Sequence, residues 1–389
     1  MKRRNFLGAG TAVLGALSTS SGAVTAADAS GANPAPSAFA RPAPVAAIRA
    51  SADRLIDVSV CTRPFRAQGP RIESERRYGK TIVHHYGHGG SGWSLSWGSA
   101  HVALPLILAT KARQVAVIGC GAIGLTTARV AQRHGLQVRI YCKDRPPEVR
   151  SSNATGMWTP DSRICTTDYA TPAFSERWEW MARKSFKTYQ SLLGVTGDPV
   201  EWRDGYVLSD TPFDQPLDDE DGEPDYPDLV ARLADIRPKS VPLQSGEHPF
   251  RVAHVRRFTQ MTFNIASYQR LLMEDFLREG GQIVQREFAH PSQFAELKEH
   301  TIVNCTGYGA RALLGDDSII PVKGQTAKLV PQPEVNYALS YRGHNLVVVP
   351  RRDGLLVAAQ GEKDFGNSDT TVDRALSDAA VQRLASLYG

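Results

Sequence analysis

The sequence predicts an α/β protein of two domains, and three stretches carry that prediction. "VAVIGCGAIGLTTA" (115–128) reads as a buried apolar strand, a glycine turn and the start of a helix. "LQVRIYC" (136–142) follows as a second apolar strand. "LVVVPRRDGLLV" (346–357) places two apolar runs around Asp353-Gly354, the signature of an antiparallel hairpin. The first two stretches predict a parallel, Rossmann-like sheet, and the third a second α+β domain with a mixed or antiparallel sheet.

Within the first unit, Gly119, Gly121 and Gly124 fall at G-x-G-x-x-G, with Ala122 and Ile123 between the second and third glycines. The first glycine permits the tight turn, the second lets backbone approach a pyrophosphate, and the third lets helix pack on strand. Asp144 closes the second strand, twenty residues after Gly124, where a carboxylate accepts from ribose hydroxyls. The unit predicts a bound dinucleotide, either a nicotinamide or a flavin.

At 389 residues the chain is long enough for two sizeable cores, and its apolar (42%) and charged (22%) fractions are those of a globular protein. The net charge of +5 sits partly in the first four residues and is opposed by the acidic run 214–225, so no nucleic-acid footprint stands out and partners are expected to be small molecules. Five scattered cysteines without C-x-x-C spacing argue against a metal site and a disulfide framework, which leaves core or site-lining thiols.

Residues 1–29 resemble a twin-arginine signal peptide: Arg3-Arg4, then Asn-Phe-Leu, a weakly apolar stretch and small residues at the cleavage region. A Pro/Ala-rich linker (30–50) follows. The expectation is export by the twin-arginine machinery, which carries folded proteins, to a periplasmic or extracellular site without stable membrane association.

Four further stretches resemble the D-amino acid oxidase family of FAD-dependent oxidoreductases. They are "CTRPFR" (61–66), "HHYGHGGSGWSLSWG" (84–98), "CKDRPPEVRSSNATGMWTP" (142–160) and "IVNCTGYGARALLGDDSIIPVKGQTAKL" (302–329). The resemblance implies FAD as the dinucleotide. It implies that Asp144, Arg145, Ser151, Ser152, Asn153, Ala154, Gly156 and Trp158 wrap the flavin, together with Thr306 and Gly307. Gly89, Gly90, Ser91, Gly92, Trp93 and Ser94 would line the ring, with the Gly90 carbonyl taking the substrate amine and Ser94 replacing a threonine that touches the ring. A bidentate arginine suits the substrate carboxylate; the matching stretch offers Arg342, with Tyr341 as a second donor, while Arg351 and Arg352 are expected at a solvated hairpin tip.

The implied reaction is hydride transfer from the Cα of an amine or amino acid to flavin, with O2 as acceptor and H2O2 and an imino product released. A dehydrogenase or tailoring oxidase of a larger amine, and a non-catalytic flavin-binding protein, are the alternatives. The last is motivated by "EHPFRVAHVRRFTQMTFN" (247–264), which carries Arg251, His254, Arg256 and Arg257 where the family has substrate-contacting tyrosines.

In the family the glycine-histidine signature comes last, whereas here it precedes the nucleotide-binding unit. Circular permutation accounts for this, with 100–113 as the new connection and the carboxyl terminus beside residues 50–57. The expected division is 51–161 plus 291–330 for the FAD-binding domain and 162–290 plus 331–370 for the substrate domain. A terminal helix (371–389) would return to the FAD domain, and the acidic loop would cap the pocket.

Overall fold

The structure, a computed structural model, describes residues 45–215, 222–359 and 363–388. The expected signal peptide, most of the linker and the middle of the acidic run lie outside them.

In chain order the elements are β1 (Leu55–Phe65), β2 (Arg71–Arg77), β3 (Lys80–Tyr86), α1 (Gly92–Leu108), β4 (Gln114–Ile118), α2 (Ala122–Arg133), β5 (Gln137–Cys142), α3 (Pro172–Gln190), β6 (Val200–Ser209), β7 (Val241–Leu243), β8 (His254–Phe263), α4 (Ile265–Arg278), β9 (Gln282–Gln285), β10 (Thr301–Asn304), α5 (Gly309–Leu314), β11 (Ile320–Leu329), β12 (Ala338–Tyr341), β13 (Leu346–Arg351), β14 (Gly354–Ala359) and α6 (Arg374–Ser386). Among the described residues no helix is long and apolar enough to cross a membrane.

The strands form two sheets. The six-stranded one runs β2-β3-β10-β4-β5-β9, parallel throughout except for the β2–β3 hairpin. Its strands alternate between two apolar faces, as parallel strands must when both sides are covered. Val83, Val115, Val117, Val138 and Ile140 pack beneath α1 and α2, and Ile82, Ala116, Ile118, Tyr141 and Ile302 pack on the opposite face against Phe294 and Leu297. Helix α1 lies between α2 and α3 and is buried nearly all round, which explains its lack of a polar face.

The eight-stranded sheet runs β1-β11-β14-β13-β12-β6-β8-β7 and is antiparallel except for β12 and β6, so it is mixed, in keeping with the expected second sheet. The Asp353-Gly354 turn joins β13 to β14 as expected.

The segments divide differently from the expected boundaries. Strands β1 and β11 form a long antiparallel pair, from Leu55 opposite Leu329 to Phe65 opposite Ile320, in the eight-stranded sheet. Conversely β9 joins the six-stranded sheet and α4 packs on α2. Helix α6 does not return to the nucleotide-binding sheet: Ala380, Val381, Leu384 and Leu387 bury against Leu208, Val255, Leu339, Val348 and Val357 of the eight-stranded one. The physical reason is that the apolar residues of α6 match the apolar face that β11, β13 and β14 present.

The expected connection 100–113 is mostly the second half of α1, leaving only 109–113 between α1 and β4. At the other end of the chain the Tyr388 hydroxyl meets that of Tyr337 at 2.7 Å, and the Tyr337 hydroxyl donates to the Ala46 carbonyl at 2.7 Å. Gly389 itself lies outside the described residues.

Candidate active site

All four glycine or acid-bearing segments singled out in the sequence emerge from the carboxyl edge of the parallel sheet. Gly87–Ser91 follows β3, Cys305–Gly307 follows β10, Gly119–Gly121 follows β4, and Lys143–Arg145 follows β5. Strand order reverses between β10 and β4, and the crevice at such a point is where open α/β sheets bind ligands.

The turn after β4 has the geometry a pyrophosphate needs. Gly119 holds φ +109°, and a Cβ there would lie 2.5 Å from the Cys305 carbonyl oxygen; one on Gly124 would lie 2.0 Å from that of Gly119. Helix α2 starts on Gly121, which has no side chain to cap it, and its first turn contains no acidic residue. The positive end of the helix is therefore free of an internal counter-charge. The Ala122 amide donates to Ser151 Oγ at 3.0 Å. Asp144 is exposed beyond β5, and Arg145 beside it reaches the Ile283 carbonyl at 3.4 Å.

The segment after β5 spans the gap between the sheets. Residues Arg150–Asn153 form a single 3-10 turn. Ser152 Oγ donates to Gln269 Oε1 on α4 at 2.9 Å, and Asn153 Nδ2 to the Val60 carbonyl on β1 at 3.4 Å. The Gly156 carbonyl accepts from the Phe263 amide at 2.6 Å, and the Trp158 amide donates to the Met261 carbonyl at 3.0 Å, which fastens the segment to β8. The Ala154 carbonyl accepts from Arg351 Nη1 at 2.8 Å. Among the described residues Gln269 Nε2 and Trp158 Nε1 are buried donors without partners. Together with the glycine cradle and the open end of α2, such donors fit a large polar cofactor spread along this segment.

The glycine-histidine turn closes the crevice. The Gly89 amide (φ +53°) donates to the Pro64 carbonyl, and that of Gly90 to the Ser162 carbonyl, both at 3.0 Å. Ser91 Oγ also donates to Ser162, at 2.8 Å. A Cβ on Gly89 would lie 1.9 Å from the Arg163 carbonyl oxygen, and one on Gly90 2.3 Å from Ser162 Oγ, so backbone meets backbone with no room for a side chain. Trp93 Nε1 donates to the Ser151 carbonyl at 2.8 Å. Ser94 Oγ accepts from the Thr159 amide at 2.8 Å and so anchors the 158–160 segment. Below the turn, Ser99 Oγ lies 2.6 Å from both His85 Nε2 and His88 Nε2, and His85 Nδ1 is 2.9 Å from Thr127 Oγ1. Burial holds His85 well below the usual imidazole range and pushes His88 down to about 3.

Thr306 and Gly307 follow β10, and the Thr306 amide lies beside the Gly119 turn. Tyr341 and Arg342 do not join this constellation. The Tyr341 hydroxyl bonds the Asp210 carboxylate, and Arg342 donates to the carbonyls of Pro212 (3.2 Å) and Gln215 (2.5 Å), all beyond the end of β6. The reason is the register: Tyr341 pairs with Leu208 at the outer end of a parallel pair, and the following turn carries Arg342 onto the 210–215 loop. Arg351 is not at a solvated tip; it is buried, pairs with Asp353 and holds Ala154, whereas Arg352 is exposed and pairs with Asp198. Arg256 bonds Ser240 and lies over the Phe213 ring, outside the glycine constellation.

Two arginines that the sequence reading did not name as site residues flank Gly89. Arg63 precedes Pro64, the acceptor of the Gly89 amide; its Nη1 donates to the Lys323 carbonyl at 2.9 Å, and its guanidinium lies over Gly324, where a Cβ would be 2.7 Å from Nη2. The signal was present as the arginine of "CTRPFR" opposite the glycine of "VKGQT". Arg163 lies on the other side of Gly89, with a left-handed φ of +49° unusual for a side chain of that size. It grips Glu223, from the described end of the acidic run, through Nε at 2.8 Å and Nη2 at 2.5 Å.

A parallel sheet with an open glycine cradle, bridged to a mixed sheet by a segment beside which buried donors lack partners among the described residues, defines a dinucleotide-binding oxidoreductase. The chain belongs to the FAD dependent oxidoreductase family, which it matches over residues 114–389, and its cofactor is FAD. It is similar to a D-amino-acid oxidase of Streptomyces coelicolor, 29% identical over 280 residues that cover 70% of this chain and 77% of that protein. A D-aspartate oxidase of Talaromyces thermophilus is 48% identical over 65 residues, 15% of this chain and 18% of the other. Among solved structures it is similar to the L-alpha-glycerophosphate oxidase of Mycoplasma pneumoniae with FAD bound, at 12% identity and a TM-score of 0.44, covering 71% of this chain and 78% of that one.

Proposed function

We propose that the protein is an oxidase of amino acids. FAD, when bound, would supply the acceptor for a hydride from the substrate Cα, with O2 as the final oxidant and H2O2 and an imino compound as the products. The observation that carries this reading is the placement of Gly89-Gly90 in the same crevice as the Gly119–Gly124 cradle, with Arg63 at its edge.

Each of the chain's own groups then has a task. The Gly90 carbonyl accepts from the substrate amine, and Arg63 takes the carboxylate as a two-pronged donor. The absence of side chains at positions 89 and 90 lets the turn pack directly on Ser162 and Arg163, which sets the Gly90 carbonyl in place. Burial of Trp158, Ile164 and Cys165 keeps that side of the crevice dry. The network of His85, Ser99 and His88 fixes the turn from below.

We also propose that the chain is a circular permutation of the family's order. Three facts support it: the family match begins at Gln114, the first residue of β4; only 109–113 separate α1 from β4; and Tyr388 is one hydroxyl removed from Ala46. Export by the twin-arginine route rests on Arg3-Arg4 and the residues after them.

The deciding experiment is anaerobic titration of the FAD-loaded protein with D-amino acids, L-amino acids, glycine and N-alkyl amines. Loss of oxidised flavin absorbance with an amino acid is the expected result. Bleaching by none of them would leave a flavoprotein that does not oxidise amines. For the permutation, a chain rejoined from 388 to 45 and opened within 109–113 should fold and bind FAD; failure of several such linkers would count against it.

A further inference from the structure

Two arginines and a carboxylate meet beside the Gly89 turn: Arg63, Arg163 and Glu223. Arg63 and Arg163 approach the Gly89 turn from opposite sides, Arg63 through its neighbour Pro64 and Arg163 through its own carbonyl. Glu223 takes both prongs of Arg163, accepts from the Tyr226 hydroxyl at 2.8 Å, and feels the positive charge of Arg63. The Tyr226 ring in turn packs edge-on against Phe65, two residues from Arg63. Only 7% of the Glu223 side chain and 18% of that of Arg163 reach solvent. Burial opposes ionisation of Glu223, but Arg163, Tyr226 and Arg63 outweigh it and hold the carboxyl below its usual range.

A buried ion pair is a costly way to fill space, and an apolar pair of similar volume would serve stability as well. The Arg163 backbone is strained besides, with φ +49°, and strain of that kind persists where the surroundings hold a residue for a task. The two partners differ in how they are held. Ser162 receives two hydrogen bonds from the glycine turn, which fixes Arg163, whereas Glu223 reaches it from the acidic run.

We propose that Arg163 is the binding site for a second carboxylate on the substrate, that Glu223 occupies it in the free protein, and that the preferred substrates are dicarboxylic amino acids. The proposal rests on the oxidase reading above. With Glu223 in place the three groups sum to one positive charge, which suits a single substrate carboxylate on Arg63. With Glu223 displaced to water they leave two, which match the two carboxylates of an aspartate or glutamate. The exchange breaks one guanidinium–carboxylate pair and forms another of the same geometry.

The test uses the FAD-loaded protein and two ligand pairs that differ by one carboxylate: D-aspartate against D-alanine for flavin bleaching, and succinate against butyrate for binding followed by the flavin spectrum. Wild type should favour the dicarboxylate of each pair by about tenfold or more, the scale of one charge-assisted contact. Arg163→Met should erase that preference, with succinate bound no more tightly than butyrate; Glu223→Gln should tighten succinate binding. Because Arg163→Met strands a buried carboxylate, the double variant R163M/E223Q removes both charges and keeps the test open if the single variant does not fold. Equal preference in wild type and variants overturns the proposal. If no amino acid bleaches the flavin, the oxidase reading fails, and the succinate and butyrate comparison alone decides whether Arg163 holds a second anion.

Discussion

The Trp93 indole donates to the Ser151 carbonyl at 2.8 Å, and the hydroxyl of that same serine receives the Ala122 amide at 3.0 Å. One residue thus fastens the signature helix α1 to the start of α2, two elements whose glycine motifs are some thirty residues apart in sequence. Trp93→Phe keeps the ring and deletes the donor. Stability should fall by about 1 kcal/mol, and the ratio of bound flavin to protein should fall further than stability does. Chemical denaturation and the absorbance ratio of purified protein measure the two; an unchanged flavin ratio would detach Trp93 from cofactor retention.

Gly119→Ala should be among the most damaging single-methyl additions. It forces alanine into φ +109° and drives its Cβ against the Cys305 carbonyl. A cost of about 3 kcal/mol and loss of FAD are expected. Gly315→Ala is the control, since it shares a left-handed φ (+68°) but has open space around it, and should cost only about 1 kcal/mol. Equal costs at the two positions would mean that the close approach after β4 is not what selects glycine.

Acid should unfold the protein partly through His88. Its folded-state value, pushed down to about 3 by burial, lies below the unfolded imidazole's 6.5. The unfolded chain therefore binds a proton first, and the stabilisation present above pH 6.5 is lost as pH falls from 6.5 towards 3. The slope for this one group is about 1.4 kcal/mol per pH unit. His88→Asn should flatten the stability profile over that window, as read from denaturation midpoints at successive pH values; an unaltered slope would rule His88 out.

Arg63 and Arg342 separate cleanly. Arg342→Ala should leave turnover unchanged and shift stability by no more than about 0.5 kcal/mol, since its bonds reach only the 212–215 loop. Arg63→Leu should raise KM for amino acids by about a hundredfold. Steady-state kinetics of the two variants, side by side, would expose a reversed assignment at once.

The strand–turn–helix–strand unit was readable because its pattern is local: β4 and β5 pair on either side of one helix, and Gly124 packs on Gly119 within the same turn, although Gly119 itself meets the distant Cys305. The eight-stranded sheet was legible only as a type, because β1 pairs with β11 across more than 250 residues and nothing in either run names the other. Arg342 rather than Arg63 was singled out for the same reason. An arginine before an apolar strand ending in proline is a local pattern, whereas the qualification of Arg63 is a carbonyl one residue later that accepts from Gly89. Helix α6 shows the limit again: a terminal helix was expected, and the sheet that it covers was not.

Ser99 has a single hydroxyl proton to share between two imidazoles. It can donate to one Nε2 only, so its oxygen must accept from the other, and the adjacent histidines are opposite tautomers. His88 Nδ1 has no partner among the described residues, and a buried lone pair is cheaper to strand than a buried N–H. The proton of His88 therefore sits on Nε2 and that of His85 on Nδ1, facing Thr127. The hydrogen bonds run in one direction, from the glycine turn down into α2, and nitrogen-15 chemical shifts of the two rings should differ accordingly.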